Sequence, residues 1–175
     1  MAIQTTQRQY NLREAIETYV QNTLEAVDGV TVRHPGVVSK KDRTIDHDNF
    51  VVLAYVGNKT QDILRNVNSD GNLGAIKHLL VQFTCISRVD PTDPMALERL
   101  VDKVLGRFHL GAEIRIRDAA NANTTYEDVL VVVDYDEEWP QPPTVKASWG
   151  IETDVRVCIL TFVPVSYTHL RAHET

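Results

Sequence analysis

The stretch from Ile76 to Phe108 changes its hydrophobic period once, and this change most restricts the folds open to the chain. From Ile76 to Ser87 apolar residues alternate with polar ones, which is the period of a strand with one buried face. From Asp93 onward the spacing is helical, with Asp93 suited to the N-cap and Pro94 to the first turn. The apolar stripe of this helix is Leu97, Leu100, Val101, Val104, Leu105 and Phe108. The pattern therefore predicts an amphipathic helix packed on a sheet.

A second amphipathic helix is predicted near the N-terminus, from about Asn11 to Val27. Asn11 suits its N-cap, with Glu14 three residues later as the partner in a capping box. Gly29 can adopt the left-handed backbone conformation that commonly ends a helix. The predicted apolar stripe is Leu12, Ile16, Tyr19, Val20, Leu24 and Val27.

The remaining apolar segments predict strands. They are Thr31 to His34, Phe50 to Val56, Ala112 to Arg117, Tyr126 to Tyr135 and Trp149 to Val163. Asp70-Gly71 predicts a tight hairpin turn, because both residues tolerate positive φ. The pattern leaves Lys59 to Val67 open between an extension of that hairpin and a helical turn. The order of helix, strands, helix and strands predicts an α+β fold, a single mostly antiparallel sheet with two amphipathic helices packed on one face.

Composition bounds the class of protein. The chain has 175 residues, of which 43% are hydrophobic and 24% charged, as expected of one globular domain. Its net charge of -6 argues against a protein held to nucleic acid by phosphate contacts. The basic residues Lys40, Lys41 and Arg43 are interpreted as a solvated loop. No apolar run approaches the roughly 20 residues that span a bilayer, so we expect no membrane insertion and synthesis in a cytoplasm.

The most prominent candidate for chemistry is Asp46-His47-Asp48, because imidazole and carboxylate groups can hold a metal ion or move protons. Neighbours in an extended loop point in different directions, so a hydrated loop is the favoured interpretation. A small metal-dependent enzyme is the alternative, and stoichiometric metal that is lost in His47→Ala would support it. The other histidines show no spacing relation to one another and are not assigned as ligands. They are His34, His78 and His109.

An acid-rich segment could contain an acid–base pair, although a solvated turn after a strand is the favoured interpretation. Its members are Asp134, Asp136, Glu137 and Glu138. Pro140-x-x-Pro143 meets only the minimal pattern of a polyproline ligand. No catalytic, cofactor-binding or metal-binding residue is assigned, and no enzymatic activity or cofactor is expected.

The two cysteines, Cys85 and Cys158, are too few for a zinc motif or a disulfide framework. Each lies in an apolar run, where a free thiol behaves as a small buried hydrophobic group. Burial also works against the low pKa that a catalytic cysteine needs. A reducing compartment is the simplest context for both.

The C-terminal segment, Val165 to Thr175, resembles translated adapter sequence from sequencing libraries. We therefore expect one native domain over residues 1–164 and a non-native tail over residues 165–175. The expectation has a chemical consequence, because His169 and His173 would otherwise form the best helical pair of metal ligands in the chain.

Four segments, in their order along the chain, resemble the tail terminator, or tail completion, proteins of tailed bacteriophages. An apolar strand matches Asn49-Phe-Val-Val-Leu-Ala-Tyr-Val-Gly57. A long strand like Leu80-Val-Gln-Phe-Thr-Cys-Ile-Ser-Arg88 leads directly into a helix like Ala96-Leu-Glu-Arg-Leu-Val-Asp-Lys-Val-Leu105. A late strand like Gly150-Ile-Glu-Thr-Asp-Val-Arg-Val-Cys-Ile-Leu160 closes the sheet. With the N-terminal helix before them, the resemblance covers most of Asn11 to Val163.

The resemblance implies a structural function. Such proteins form rings, commonly hexamers, that cap the tail tube, end its polymerisation and take part in joining the head. The expected partners are further copies of the chain, the tail tube protein and head–tail connector proteins, without recognition of nucleic acid sequence. The expected location is the virion, after assembly in the cytoplasm of the bacterial host. Sheet edges and the hairpin from Gly57 to Ala75 are the first candidates for contacts.

Two features depart from a minimal member of this family. The strand pair from Ala112 to Tyr135 and the proline-rich loop after it lengthen the chain. The alternative within the same class is another neck, baseplate or minor tail component.

Overall fold

In the residues that the structure describes, the protein has two α-helices, a short π-helical segment, a short 3-10 segment and six strands. The computed structural model describes residues 8–35, 49–67, 73–140 and 155–167, with residues 58–67, 73–76 and 167 described by their backbone alone. The helices are α1 (Gln9–Val20) and α2 (Ala96–Arg107). The strands are β1 (Val32–Arg33), β2 (Asn49–Val67), β3 (Leu73–Arg88), β4 (Glu113–Arg117), β5 (Tyr126–Glu138) and β6 (Val155–Tyr167).

All six strands belong to one curled sheet with the order β1-β2-β3-β6-β5-β4. β1 runs parallel to β2, with Val32 beside Val51, and every other neighbouring pair is antiparallel. The predicted α+β fold with a mostly antiparallel sheet is confirmed. β6 is the last described strand in sequence, yet it lies in the middle of the sheet, between β3 and β5.

The main core lies between the sheet and the two helices, which confirms that both helices pack on one face. The predicted stripe of α2 is buried at Leu97, Leu100, Val101 and Val104, and Phe108 follows the helix end with no exposed surface. The Phe108 ring lies 4.7 Å from the Phe83 ring and 5.4 Å from the Phe162 ring, measured between centroids. Aromatic rings at this spacing add attraction beyond their buried area.

A smaller apolar cluster occupies the opposite face of the sheet. Its buried members are Phe50, Val52, Ile86, Val155 and Val157, with Ile159 packed against them. Val155, Val157 and Ile159 therefore lie on the same face of β6. Arg156, between them, points to the helix face, where it donates to the Pro94 carbonyl at 2.9 Å and pairs with Glu98 of α2.

Helix α1 begins at Gln9, and Asn11 is not its N-cap as the sequence suggested. Asn11 is completely buried and donates from Nδ2 to Asp118 Oδ1 at 2.9 Å, while its Oδ1 accepts the Ala120 N–H at 2.9 Å. The capping box is also wrong, because Glu14 pairs with Arg117 at 2.7 Å. Both side chains therefore bond to residues that are distant in sequence, and neither makes the local capping contact that was predicted.

The end of the first helix follows the prediction more closely. The helix continues past Val20 as a π-helical segment, Gln21–Glu25, in which the Thr23 hydroxyl donates to the Tyr19 carbonyl at 2.6 Å. Gly29 has a φ of +66°, which confirms its predicted left-handed conformation. The wider π-helical turn and this glycine end the helix and lead the chain toward β1.

Helix α2 begins at Ala96 with Met95 as N-cap residue, so Asp93 does not occupy the predicted capping position. The Asp93 carboxylate instead pairs with the Arg99 guanidinium, and its carbonyl accepts the Ala96 N–H at 3.4 Å. Pro94 and Met95 form a turn before the helix. That turn moves the first helical position two residues beyond Pro94.

Several strands are longer than their apolar patterns indicated. Lys59 to Val67, which the pattern left open between strand and helical turn, belongs to a strand. β5 continues to Glu138, and β6 continues to Tyr167. Val165 is fully buried and pairs with His78 and Val131, so the sheet passes the predicted domain end at 164. The adapter origin of residues 165–175 stays a prediction. Asp70-Gly71, residues 141–154 and residues 168–175 lie outside the described residues.

Candidate functional site

A long two-stranded hairpin is the most prominent surface feature of the sheet. β2 and β3 pair from Asn49 with Ser87 to Val67 with Leu73. Among the described residues, β6 pairs with β3 as far as Ile76, and the pairing of β2 with β3 continues to Val67 and Leu73. The hairpin expected from Gly57 to Ala75 is therefore present in its strands.

The outer edge of β2 is largely open. Within the described residues, β1 pairs only with Val51 and Val52, so from Leu53 to Val67 this strand has no neighbour on its outer side. We call this stretch the hairpin edge. A register shift between Tyr55 and Gly57 leaves Val56 bulged and 50% exposed. Unpaired N–H and C=O groups along such an edge can accept another strand.

A second open edge lies near the other side of the sheet. β4 pairs with β5 up to Val131, and the contact continues to Val132, whose N–H donates to the Ala112 carbonyl at 3.0 Å and whose carbonyl accepts the Gly111 N–H at 2.8 Å. From Val133 to Glu138, β5 has β6 on one side and no strand on the other among the described residues. We call this stretch the acidic edge, because four of its residues are carboxylic acids. They are Asp134, Asp136, Glu137 and Glu138.

Aromatic side chains accompany the acidic edge. Tyr135 stacks on the buried Phe162 ring with 5.8 Å between centroids, yet 38% of Tyr135 is exposed. Trp139, directly after the strand, is 41% exposed and donates from Nε1 to Glu137 at 3.2 Å. Val133 is also exposed. Partly exposed tyrosine and tryptophan on a rigid element are typical anchors of protein interfaces.

Sequence reasoning missed a polar cluster at the junction of α1, β1 and β2. Glu17 accepts a hydrogen bond from the Tyr55 hydroxyl at 2.9 Å and lies 3.3 Å from Nε2 of His34. The Arg13 guanidinium lies over the Tyr55 ring, 4.2 Å from its centroid. Burial and the neighbouring Glu17 carboxylate raise the pKa of Tyr55, so its hydroxyl remains a donor. The cluster joins α1 to the sheet, and its members come from distant parts of the chain.

The cysteines do not form a nucleophilic site. Cys85 and Cys158 are Cα partners on neighbouring strands, both free and both without exposed surface. Burial raises the pKa of Cys85, and it raises the pKa of Cys158 to about 12. Their thiols are therefore protonated near neutral pH, as expected of small hydrophobic core residues.

The candidate histidines that the structure describes, His34, His78 and His109, lie on separate parts of the fold. His78 lies on β3, and the exposed His109 donates from Nδ1 to the Leu110 carbonyl at 2.9 Å. Asp46-His47-Asp48, Pro143, His169 and His173 lie outside the described residues. Within residues 8–35, 49–67, 73–140 and 155–167, no three or more histidine, cysteine, aspartate or glutamate side chains could hold a metal ion.

The described residues contain no candidate membrane-spanning helix. Neither α1 nor α2 is long and apolar enough to cross a membrane.

No known family model matches the sequence, and no curated protein matches it either.

Proposed function

We propose that the chain is a structural component of a tailed-bacteriophage virion. It assembles into a ring on the end of the tail tube, stops further addition of tube subunits and takes part in joining the head. The principal support is the resemblance in the order of elements, from the N-terminal helix to the last strand. Two open edges on one sheet suit a protein that acts through contacts with copies of itself and with other subunits.

The layout of the sheet suits this role in a second way. β3 leads into α2 through a short turn, and α2 returns across the same sheet, so the hairpin of β2 and β3 is anchored at its base by the core. Phe83 of β3 and Phe108 after α2 are both fully buried there. A hairpin whose base is held by the core keeps a fixed position relative to the rest of the protein. A contact with the tube surface requires such a fixed position.

The proposal is tested by polymerising the tail tube protein of the same phage with and without this chain. A capping protein at substoichiometric amounts shortens the tubes in negative-stain electron micrographs and appears at one end. Added to preformed tubes, it leaves their length unchanged and prevents further growth from that end.

The preformed tubes control for nonspecific effects, because a protein that merely destabilises tubes would also shorten tubes that had already formed. Tubes of unchanged length with no chain at either end would contradict the proposal. Binding along the sides of the tube, or at its distal end, would favour another tail or baseplate component.

A further inference from the structure

The acidic edge combines an open strand edge with a strong charge. β5 contains six acidic residues and no lysine or arginine, and four of the acids come after the point where β4 ends. These four are all exposed, and none forms an ion pair with another residue that the structure describes. Both the side chains and the outer backbone groups of this stretch are therefore accessible to a partner.

The backbone of the acidic edge points outward at every second residue. The Tyr135 N–H donates to the Asp134 carboxylate at 2.9 Å, which places it on the side away from β6. In an antiparallel strand, successive residues direct their backbone groups to opposite sides, so Glu137 also points outward while Asp136 and Glu138 face β6. An added strand would therefore bond to the backbone of Tyr135 and Glu137.

The same alternation separates the side chains by face. Tyr135 stacks on a buried phenylalanine of the main core, whereas Glu138 pairs with Ile159, which packs on the apolar cluster of the other face. Asp134, Asp136 and Glu138 thus follow one face of β5 at intervals of about 6.6 Å, twice the rise per residue. Beside an added antiparallel strand, Asp136 and Glu138 would lie in non-hydrogen-bonded pairs, in which side chains approach most closely.

The charge of this face defines the chemistry of a partner strand. Lysine or arginine opposite the acids forms favourable cross-strand pairs, whereas an acidic strand places like charges opposite each other. Exposed aromatic surface at Tyr135 and Trp139 suits apolar or aromatic side chains between the basic ones. Charged residues alone can keep a strand edge from pairing, but exposed aromatic rings favour contact.

The described strands of this chain do not supply such a partner. None of them has lysine or arginine at three alternate positions. β4 has two, Arg115 and Arg117, but Arg117 pairs with Glu14 of α1 at 2.7 Å. The hairpin edge has none from Leu53 to Asn58, the stretch level with the acidic edge in the register of the sheet. The charge pattern thus favours a segment of another protein.

We propose that the acidic edge binds an extended segment of another protein. The segment adds to the sheet as an antiparallel strand beside β5 and carries lysine or arginine at alternate positions. This site goes beyond the capping role, because it is a separate binding surface with a partner of defined chemistry and does not require a ring.

Synthetic peptides test the contact on the full chain, without tube protein. A short peptide of alternating lysine and threonine is the probe, and the same peptide with glutamate in place of lysine is its control. In isothermal titration calorimetry, the lysine peptide should bind at about 50 mM salt and lose roughly tenfold in affinity at about 500 mM, because exposed ion pairs are screened. The glutamate peptide should not bind.

N-methylation of the peptide separates strand pairing from attraction by charge alone. In the proposed pairing the threonine amides face β5 and the lysine amides face away, because the lysines lie in the non-hydrogen-bonded pairs. Methylation of the threonine amides should weaken binding about tenfold or more, whereas methylation of as many lysine amides should change it by less than about threefold. In hydrogen exchange followed by NMR, the amides of Tyr135 and Glu137 should gain protection when the unmodified peptide binds.

Asp136→Asn with Glu138→Gln makes the corresponding change in the protein. It should weaken binding of the lysine peptide about fivefold or more, because two cross-strand ion pairs are lost. The matched control, Glu25→Gln with Asp102→Asn, makes the same change in net charge at exposed helical positions and should bind like wild type. Circular dichroism and melting temperature confirm that each variant folds.

Equal weakening by the two methylation patterns, binding of the glutamate peptide, or no binding of the lysine peptide at low salt would each overturn the proposal. Tyr135 and Glu137 amides that exchange as slowly as core amides in the free chain would do so too, since another strand would then occupy the edge. Capping is measured separately, by tube length. A chain that binds the peptide as expected and leaves the tubes unchanged would therefore contradict the capping function alone.

Discussion

Asn11 shows how one polar side chain can serve the fold in a way its sequence position does not indicate. It lies in the first turns of α1, with no exposed surface, and connects the helix to the turn after β4. Its partner Asp118 also accepts Nδ2 of Asn121 at 2.7 Å, and these two amide donors lower the pKa of the Asp118 carboxyl. Buried amide groups are stabilising only while their hydrogen bonds are made.

We therefore expect Asn11→Ala to lower the free energy of unfolding by about 1–2 kcal/mol. The loss of buried hydrogen bonds costs about 1–3 kcal/mol, and the better helix propensity of alanine offsets roughly 0.5 kcal/mol. Urea denaturation measures the change. Gln21→Ala, at an exposed position of the same helical region, is the control and should stay within about 0.5 kcal/mol of wild type. Equal effects of the two substitutions would contradict the buried role of Asn11.

At the level of elements, α2 depends on the sheet for its stability. Four residues of its apolar stripe are buried against the strands, and Phe108 completes the contact at its C-terminal end. A helix of 12 residues is marginal in isolation, because nucleation is costly. Its ion pair with Arg156 connects it to β6, a central strand of the sheet.

Leu100→Asp tests the docking of α2. Leu100 is 7% exposed, so the substitution buries a carboxylate without a partner and should destabilise the protein by about 3 kcal/mol or more. Differential scanning fluorimetry should show a large fall in melting temperature. Asp102→Ala, two residues later on the exposed face, should leave it almost unchanged. A melting temperature that Leu100→Asp does not alter would place this residue on the surface.

At the level of the whole molecule, three arginine–carboxylate pairs among the described residues connect elements that are far apart in sequence. They are Glu14 with Arg117, Asp28 with Arg107 at 2.8 Å, and Glu98 with Arg156. In each pair the hydrogen bond from the arginine is the main reason that the pKa of the carboxyl lies below its ordinary range. Each pair joins the two helical regions to one another or joins a helix to the sheet. Loss of these pairs therefore lowers the stability of the packing between the helices and the sheet.

These pairs predict acid sensitivity. A carboxyl whose pKa is lower in the folded than in the unfolded state contributes stability above its unfolded value of about 4, and loses it as pH falls through the folded value. We expect the free energy of unfolding to be nearly constant from about pH 7 to 5 and to decline below about pH 4. The triple variant Glu14→Gln, Asp28→Asn and Glu98→Gln should be less stable at pH 7 and show a flatter decline in acid. A decline as steep as that of wild type would assign the effect to other groups.

The sequence by itself determined the class of fold, most of the helices and strands, and the faces they bury. Hydrophobic period is a local property, and Leu97 to Phe108 or Val155 to Ile159 display it without reference to the rest of the chain. The mostly antiparallel sheet with two helices on one face followed from that pattern and from the order of elements.

Only the tertiary structure decided which edges stay open and which polar groups meet. The acidic residues of β5 suggested a solvated turn, but the strand continues through them because β6 pairs with β5 as far as Glu138. Asn11 meets Asp118 across 107 positions, and Glu17 meets Tyr55 across 38. Such contacts depend on strand order and strand length, which arise from the packing of the whole sheet and have no signature in any short window of sequence.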